Sequence, residues 1–186
     1  MLNRKSLKLT IVGLGIALNI VGAFIALNLK LPIYLDSIGT LMVAFILGPK
    51  YGILTGLGGS IVSGVSFDIY SLYFAPVQIF TGYLGGTFYK KNLFCGWKII
   101  IGTFLMTIFV SFTGALIAAY LFGGITSSGS SYIVVFLSNL GLNKVMSVFI
   151  VQFFTDYFDK LVAILLVLSA LKVMPKQIKR KLELDN

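Results

Sequence analysis

The chain has 186 residues, 58% of them hydrophobic and 11% charged, with a mean hydropathy of +0.98, far from the roughly 45–50% apolar and 25% charged of soluble globular domains. It has no His, which removes the commonest general base and metal ligand, and its lone Cys95 has no partner for an intrachain disulfide. The net charge of +9 sits between and beyond apolar runs rather than on a polar face, so it reads as an orientation signal and no nucleic-acid partner is expected. At about 20 apolar residues per span, the length supplies about five to seven spans and leaves no room for a soluble domain.

Met1 to Lys8 has the charge layout of a secretory signal peptide, but the apolar run after it continues from Leu9 to Leu29, longer than a signal core, so the segment is expected to be retained as the first helix. Lys30 and Pro32 close it. The second helix, 37–47, ends at Gly48-Pro49 and is too short to cross a bilayer squarely. The third, 51–65, is rich in Gly, which in membranes marks close helix packing. A polar and aromatic link, Ser66 to Tyr73, leads to a fourth helix, 74–88, with Pro76 in its first turn. The fifth helix spans 97–122. The small-residue segment Gly123 to Ser131 and the apolar piece Tyr132 to Leu137 suit a loop and a short helix folded over the membrane surface. The sixth helix, 144–173, is long and is stopped by Pro175 and a basic tail.

The sequence therefore predicts an all-α integral membrane protein, a single bundle of six transmembrane helices with a short second and a long sixth helix. An even number of spans puts Arg4, Lys5, Lys8, Lys50, Lys90, Lys91, Lys98, Lys172, Lys176, Lys179, Arg180 and Lys181 on one side and only Lys30 and Lys144 on the other. Both termini are then cytoplasmic.

Charged groups inside spans are costly, about 2.5–3.5 kcal/mol each on insertion scales, and mark function. Helix six carries Gln152, Asp156, Asp159 and Lys160. Asp156 and Lys160 are four apart on one face, which favours an internal pair and leaves Asp159 needing a ligand, a backbone contact or an interfacial position. Gln152, Asp156 and Asp159, at steps of four and three, share a face that continues towards Phe149. Asn139 and Asn143 lie near its outer end, as site residues or as helix caps. Asp36 stands where helix two begins, as a cap, a ligand contact or both. The aromatics from Phe67 to Phe74, Tyr73 among them, fit an interfacial belt, whereas Gln78, an amide inside a span, must find a partner across helices or in a cavity.

On these residues the chain resembles the substrate-binding S components of energy-coupling factor (ECF) transporters, prokaryotic vitamin and micronutrient importers. The likeness lies in its size and six spans, Leu35-Asp36-Ser37-Ile38-Gly39-Thr40 entering helix two, Leu47-Gly48-Pro49-Lys50-Tyr51-Gly52 opening helix three, Tyr73-Phe74-Ala75-Pro76, and Asp159-Lys160. It implies a multi-pass protein of the bacterial plasma membrane that binds a vitamin-like ligand from outside, within its outer half. It also implies a membrane scaffold (T) subunit and two ATP-binding subunits as partners, which fits the absence of a phosphate-binding Gly-x-x-x-x-Gly-Lys-Ser/Thr motif from this chain. The family docks on its scaffold through a small-x-x-x-small motif of helix one, matched here by Gly13 and Ala17, with Gly22 and Ala26 as a second candidate. Asp36, Tyr73, Gln78, Asn139, Asn143, Gln152, Asp156, Asp159 and Lys160 are the candidate ligand-binding residues, and Gly123 to Ser131 a candidate lid. Three intramembrane acids against Lys160 point to a ligand offering donors or positive charge, such as a pyrimidine, a pyridine or an amine-bearing vitamin. No catalytic residue, metal or cofactor is expected. The competing expectation is a stand-alone ion- or proton-coupled carrier with Asp156, Asp159 and Lys160 as its relay; no inverted repeat relates the two halves.

Overall fold

The computed structural model describes residues 4–174. Pro175 and the basic tail that follows lie outside the described residues. Eight helices and no strand are present among them: α1 (Arg4–Asn28), α2 (Ile38–Leu47), α3 (Pro49–Ser66), α4 (Ile69–Tyr73), α5 (Ala75–Lys90), α6 (Lys98–Phe122), α7 (Ser130–Asn139) and α8 (Lys144–Val173). Lys5–Asn28 and Lys98–Phe122 are long and apolar enough to cross a membrane.

Local sequence explains most boundaries. Pro49 begins α3 at a position whose amide has no helical acceptor to lose, so the break expected at Gly48-Pro49 shrinks to one left-handed glycine, Gly48, with φ 92°. α6 stops at Gly123, also left-handed, whose amide bonds back to Ala118. Asn143 caps α8 by accepting the Val145 amide at 2.9 Å. The link expected from Ser66 to Tyr73 contains the one-turn helix α4, opened where Ser71 Oγ donates to Asp68 at 3.0 Å.

Contacts fix the helix directions. Gly22 meets Leu35, Asn19 meets Thr40 and Gly15 meets Val43, so α1 and α2 run antiparallel. Gly15 against Thr55 and Asn19 against Gly59 set α3 parallel to α1. Gly56 on Gln78 and Gly52 on Gly82 set α5 antiparallel to α3, and Gly114 on Gln152 with Ser111 on Asp156 do the same for α6 and α8. The described ends of the chain therefore lie at one end of the bundle, and the α1–α2 loop, α4 and the start of α7 at the other.

The crossing of α1 and α2 needs two glycines. A Cβ at Gly39 would run into the carbonyl of Gly15, and such backbone-to-backbone approach is how helices gain contact where lipid removes the hydrophobic drive for association.

Buried apolar residues of α2, α6 and α8, among them Leu41, Phe45, Met106, Ile164 and Val167, fill the terminal half of the bundle. The other half holds the buried polar groups Asn19, Thr40, Gln78, Asp156, Asp159 and Lys160, beside a smaller apolar cluster of Ala115, Ala118, Val134, Val148 and Val151. The outside is apolar, with Leu14, Phe24, Ile100, Phe112, Phe154 and Leu166 each more than half exposed. That arrangement inverts the usual distribution of a soluble domain.

Candidate ligand-binding site

Asp159 organises the polar half. Its side chain is fully buried on α8, and its Oδ1 accepts the amides of Tyr34 at 3.0 Å and Leu35 at 2.7 Å. Its Oδ2 takes Lys160 Nζ at 2.7 Å and Ser37 Oγ at 3.4 Å. Lys160 Nζ also donates to Ser37 Oγ at 3.0 Å and stands 3.9 Å from Asp36. The carboxylate thus fastens Tyr34, Leu35 and Ser37, the α2 end of the α1–α2 loop, to α8. Leu35 is held there at φ 53°, a left-handed conformation that costs an L residue about 1–3 kcal/mol and persists only where its surroundings enforce it.

The expected Asp156–Lys160 pair does not form. Lys160 is claimed by Asp159 and Ser37, while Asp156 turns to α6 and accepts Ser111 Oγ at 2.8 Å, along with Gln152 Nε2 at 3.0 and 3.1 Å. Nor is Asp36 a cap. Ser37 occupies that position without a side-chain bond to the helix amides, and the amides of Gly39 and Thr40 in the first turn of α2 go to Asn19 Oδ1 on α1 at 2.8 and 3.2 Å. Asn19 Nδ2 donates to Thr40 Oγ1, which donates to Gln78 Oε1 at 3.1 Å, so Gln78 finds its partner across helices as expected.

Above these networks lies an open-mouthed cavity lined by Tyr34, Asp36, Asp68, Tyr70, Ser71, Phe74, Val77, Gln78, Thr126, Ser127, Gln152, Asp156 and Lys160. Tyr34 spans the mouth, its hydroxyl 3.3 Å from Gln152 Oε1 and 3.4 Å from Ser130 Oγ. Burial, then the charge of Asp156, pushes the Tyr34 phenol up to about 12, so it stays neutral. Burial also raises the Asp36 carboxyl and nearby Asp159 adds to the effect, while Lys160 opposes both. Asp36 Oδ1 is buried without a hydrogen-bond partner.

Of the predicted site residues, Asp36, Gln78, Gln152, Asp156 and Lys160 come together on the cavity wall. Asp159 lies beneath it and acts on the loop. Tyr73, Asn139 and Asn143 are not in the site. Tyr73 turns outward and packs edge-on against Phe122 at 5.3 Å, Asn139 is exposed at the end of α7, and Asn143 is the α8 cap. Phe149 is likewise exposed.

Several wall and support residues were not expected. Asp68, Tyr70, Ser71 and Phe74 sit in the stretch read as an interfacial belt, yet they face the cavity. Asn19 and Ser111 carry the signal that singled out Gln78, a polar side chain in an apolar helix. Tyr34 carries none. The candidate lid contributes Thr126 and Ser127 to the wall and is tied internally by Thr126 N to Ser131 Oγ at 2.9 Å.

The two small-residue pairs on α1 part company. Gly22 and Ala26 are buried, Gly22 beneath the Leu35 carbonyl, so they belong to the interior. Gly13 and Ala17 are exposed, and a side chain at Gly13 would meet nothing within 4 Å.

No family model, no curated protein and no solved structure matches the chain.

Proposed function

We propose that the chain is the substrate-binding S component of an ECF importer, embedded in a bacterial plasma membrane as six spans, α1, α2, α3, α5, α6 and α8, with both termini cytoplasmic. In this reading it captures a vitamin or related micronutrient from outside and delivers it with a membrane scaffold subunit and two ATP-binding subunits. The observation that carries the reading is the polar cavity at the end of the bundle remote from the chain ends, enclosed by a body whose outer surface is apolar.

Further features support it. Two of the stretches that carry the resemblance build the site: Leu35 to Thr40 form the fastened loop and the start of α2, and Asp159-Lys160 fasten it. Lys5, Lys8, Lys50, Lys90, Lys98 and Lys172 stand at the terminal end, against Lys30 and Lys144 at the cavity end, which favours a cytoplasmic terminal end. The open face at Gly13 and Ala17 suits close approach of a partner helix. A ligand would enter between the α1–α2 loop, α4 and the Thr126–Ser131 segment. Toppling of the loaded body against the scaffold would then turn the cavity inward, driven by ATP hydrolysis in the partner chains.

The test is co-expression of the tagged chain with ATP-binding and scaffold subunits, followed by uptake in liposomes. Co-purification in stoichiometric amounts and ATP-dependent uptake of the co-purified ligand are expected. Uptake by the chain alone, without ATP, refutes the proposal.

A further inference from the structure

The cavity is chemically one-sided. Its wall carries the carboxyls of Asp36, Asp68 and Asp156 and one ammonium, Lys160. That ammonium is already engaged, 2.7 Å from Asp159 and 3.0 Å from Ser37 Oγ. With Asp159 counted, four carboxyls stand against one ammonium, a formal charge of −3, and protonating one of the acids still leaves −2. Lys30 and Lys144, the basic residues of this end, are exposed and do not line the cavity.

Hydrogen bonding tilts the same way. Asp156 is surrounded by donors, Ser111 Oγ and Gln152 Nε2, as an ionised carboxylate requires. Those donors are spent on it, and Gln152 Oε1 and Gln78 Oε1 take the hydroxyls of Tyr34 and Thr40. Asp36 Oδ1 remains buried without a donor. The wall therefore offers a buried carboxylate acceptor at Asp36, while its one ammonium and the Gln152 amide are already engaged. No group of three acids is placed to hold a metal ion among the described residues. Tyr70 and Phe74 add aromatic surface to the wall, and aromatic faces attract cations and flat rings.

We infer that the cavity takes an organic cation, a flat nitrogen heterocycle bearing a positive charge, with the charge towards Asp36 and Asp156 and the ring against Tyr70 and Phe74. This rests on the reading of the cavity as a ligand site. An anionic ligand would have to enter a field of like charge with no free ammonium to meet it, and a neutral one would leave that field unbalanced.

The test uses three probes with one ring and one side group, differing in charge: 1-methylnicotinamide (cationic), nicotinamide (neutral) and nicotinate (anionic). Each is titrated calorimetrically against the purified, ligand-depleted full chain in detergent. The cation is expected to bind at least about tenfold more tightly than nicotinamide, and nicotinate not to bind measurably. Asp36→Asn, which keeps the shape of the side chain and removes its charge, should reduce the preference for the cation several-fold, and Asp156→Asn should reduce it further. Equal affinities, a preference for nicotinate, or no binding of 1-methylnicotinamide overturns the inference. None of these results touches the proposed transport role, which stands or falls on the dependence of uptake on ATP and partner subunits.

Discussion

Replacing Asp159 by Asn tests the fastening of the α1–α2 loop. The amide keeps an acceptor for the Tyr34 and Leu35 amides, now at 3.0 and 2.7 Å, but it removes the charge 2.7 Å from Lys160 and turns a donor towards that ammonium. Lys160 would be left buried, with Asp36 at 3.9 Å as its remaining counter-charge. Breaking a buried ion pair from one side costs about 3–5 kcal/mol, a large fraction of the roughly 5–15 kcal/mol by which folded domains are stable. Asp159→Ala should cost more, because two buried amides also lose their acceptor, at about 1–3 kcal/mol each. Removing both charges should recover much of the loss, since a buried pair replaced by well-packed apolar groups is often neutral. The expected order of melting temperature, from thermal unfolding in detergent, is wild type, then Asp159→Asn with Lys160→Met, then Asp159→Asn, then Asp159→Ala. A single Asp159→Asn variant as stable as wild type, or a double variant less stable than it, refutes the role assigned to this pair.

Asn19→Leu strands the first amides of α2 and should cost about 2–4 kcal/mol from two unsatisfied donors, measured by the same unfolding assay. Gly39→Ala should lower stability by at least about 1–3 kcal/mol because its Cβ meets the Gly15 carbonyl. Gly13→Leu should leave stability and ligand binding unchanged and abolish uptake in the reconstituted transporter. For Tyr34, a phenol with its pKa raised from 10.0 to about 12 holds its proton in the fold after the unfolded chain has released it. Stability from this group is thus full below pH 10 and lost as pH rises from 10 to about 12, by about 2–3 kcal/mol at 1.36 kcal/mol per unit. Tyr34→Phe should flatten that part of a stability–pH profile.

What the sequence made legible follows helical periodicity. Helix α8 occupies 144–173, as expected, and the stripe from Gln152 to Asp159 faces the interior because steps of four and three return to one side of a helix. Pairing was not legible, because it is decided by neighbours from other helices. Ser111 draws Asp156 away from Lys160, and the loop amides at Tyr34 and Leu35 draw Asp159 inward. The phase of α4 was hidden for a different reason. Five residues make little more than one turn, too few for a pattern, so nothing distinguished Tyr70, which lines the cavity, from Tyr73, which does not, although both pack on Phe122. The cap on α2 came from Asn19, some twenty positions earlier in the chain, where rules based on adjacent residues do not reach.

Asp156 and Asp159, less than one turn apart, belong to separate hydrogen-bonded sets. One joins Ser111, Gln152 and the Tyr34 hydroxyl around the cavity; the other joins Lys160, Ser37 and the Tyr34 and Leu35 amides beneath it. The two meet at Tyr34, which serves one through its side chain and the other through its backbone. Selectivity and architecture can accordingly diverge at different rates in descendants of this chain. On the proposed function, wall positions such as Gln152 and Asp156 are the ones to be rewritten for a new ligand while the backbone-reading Asp159 keeps the entrance loop in place.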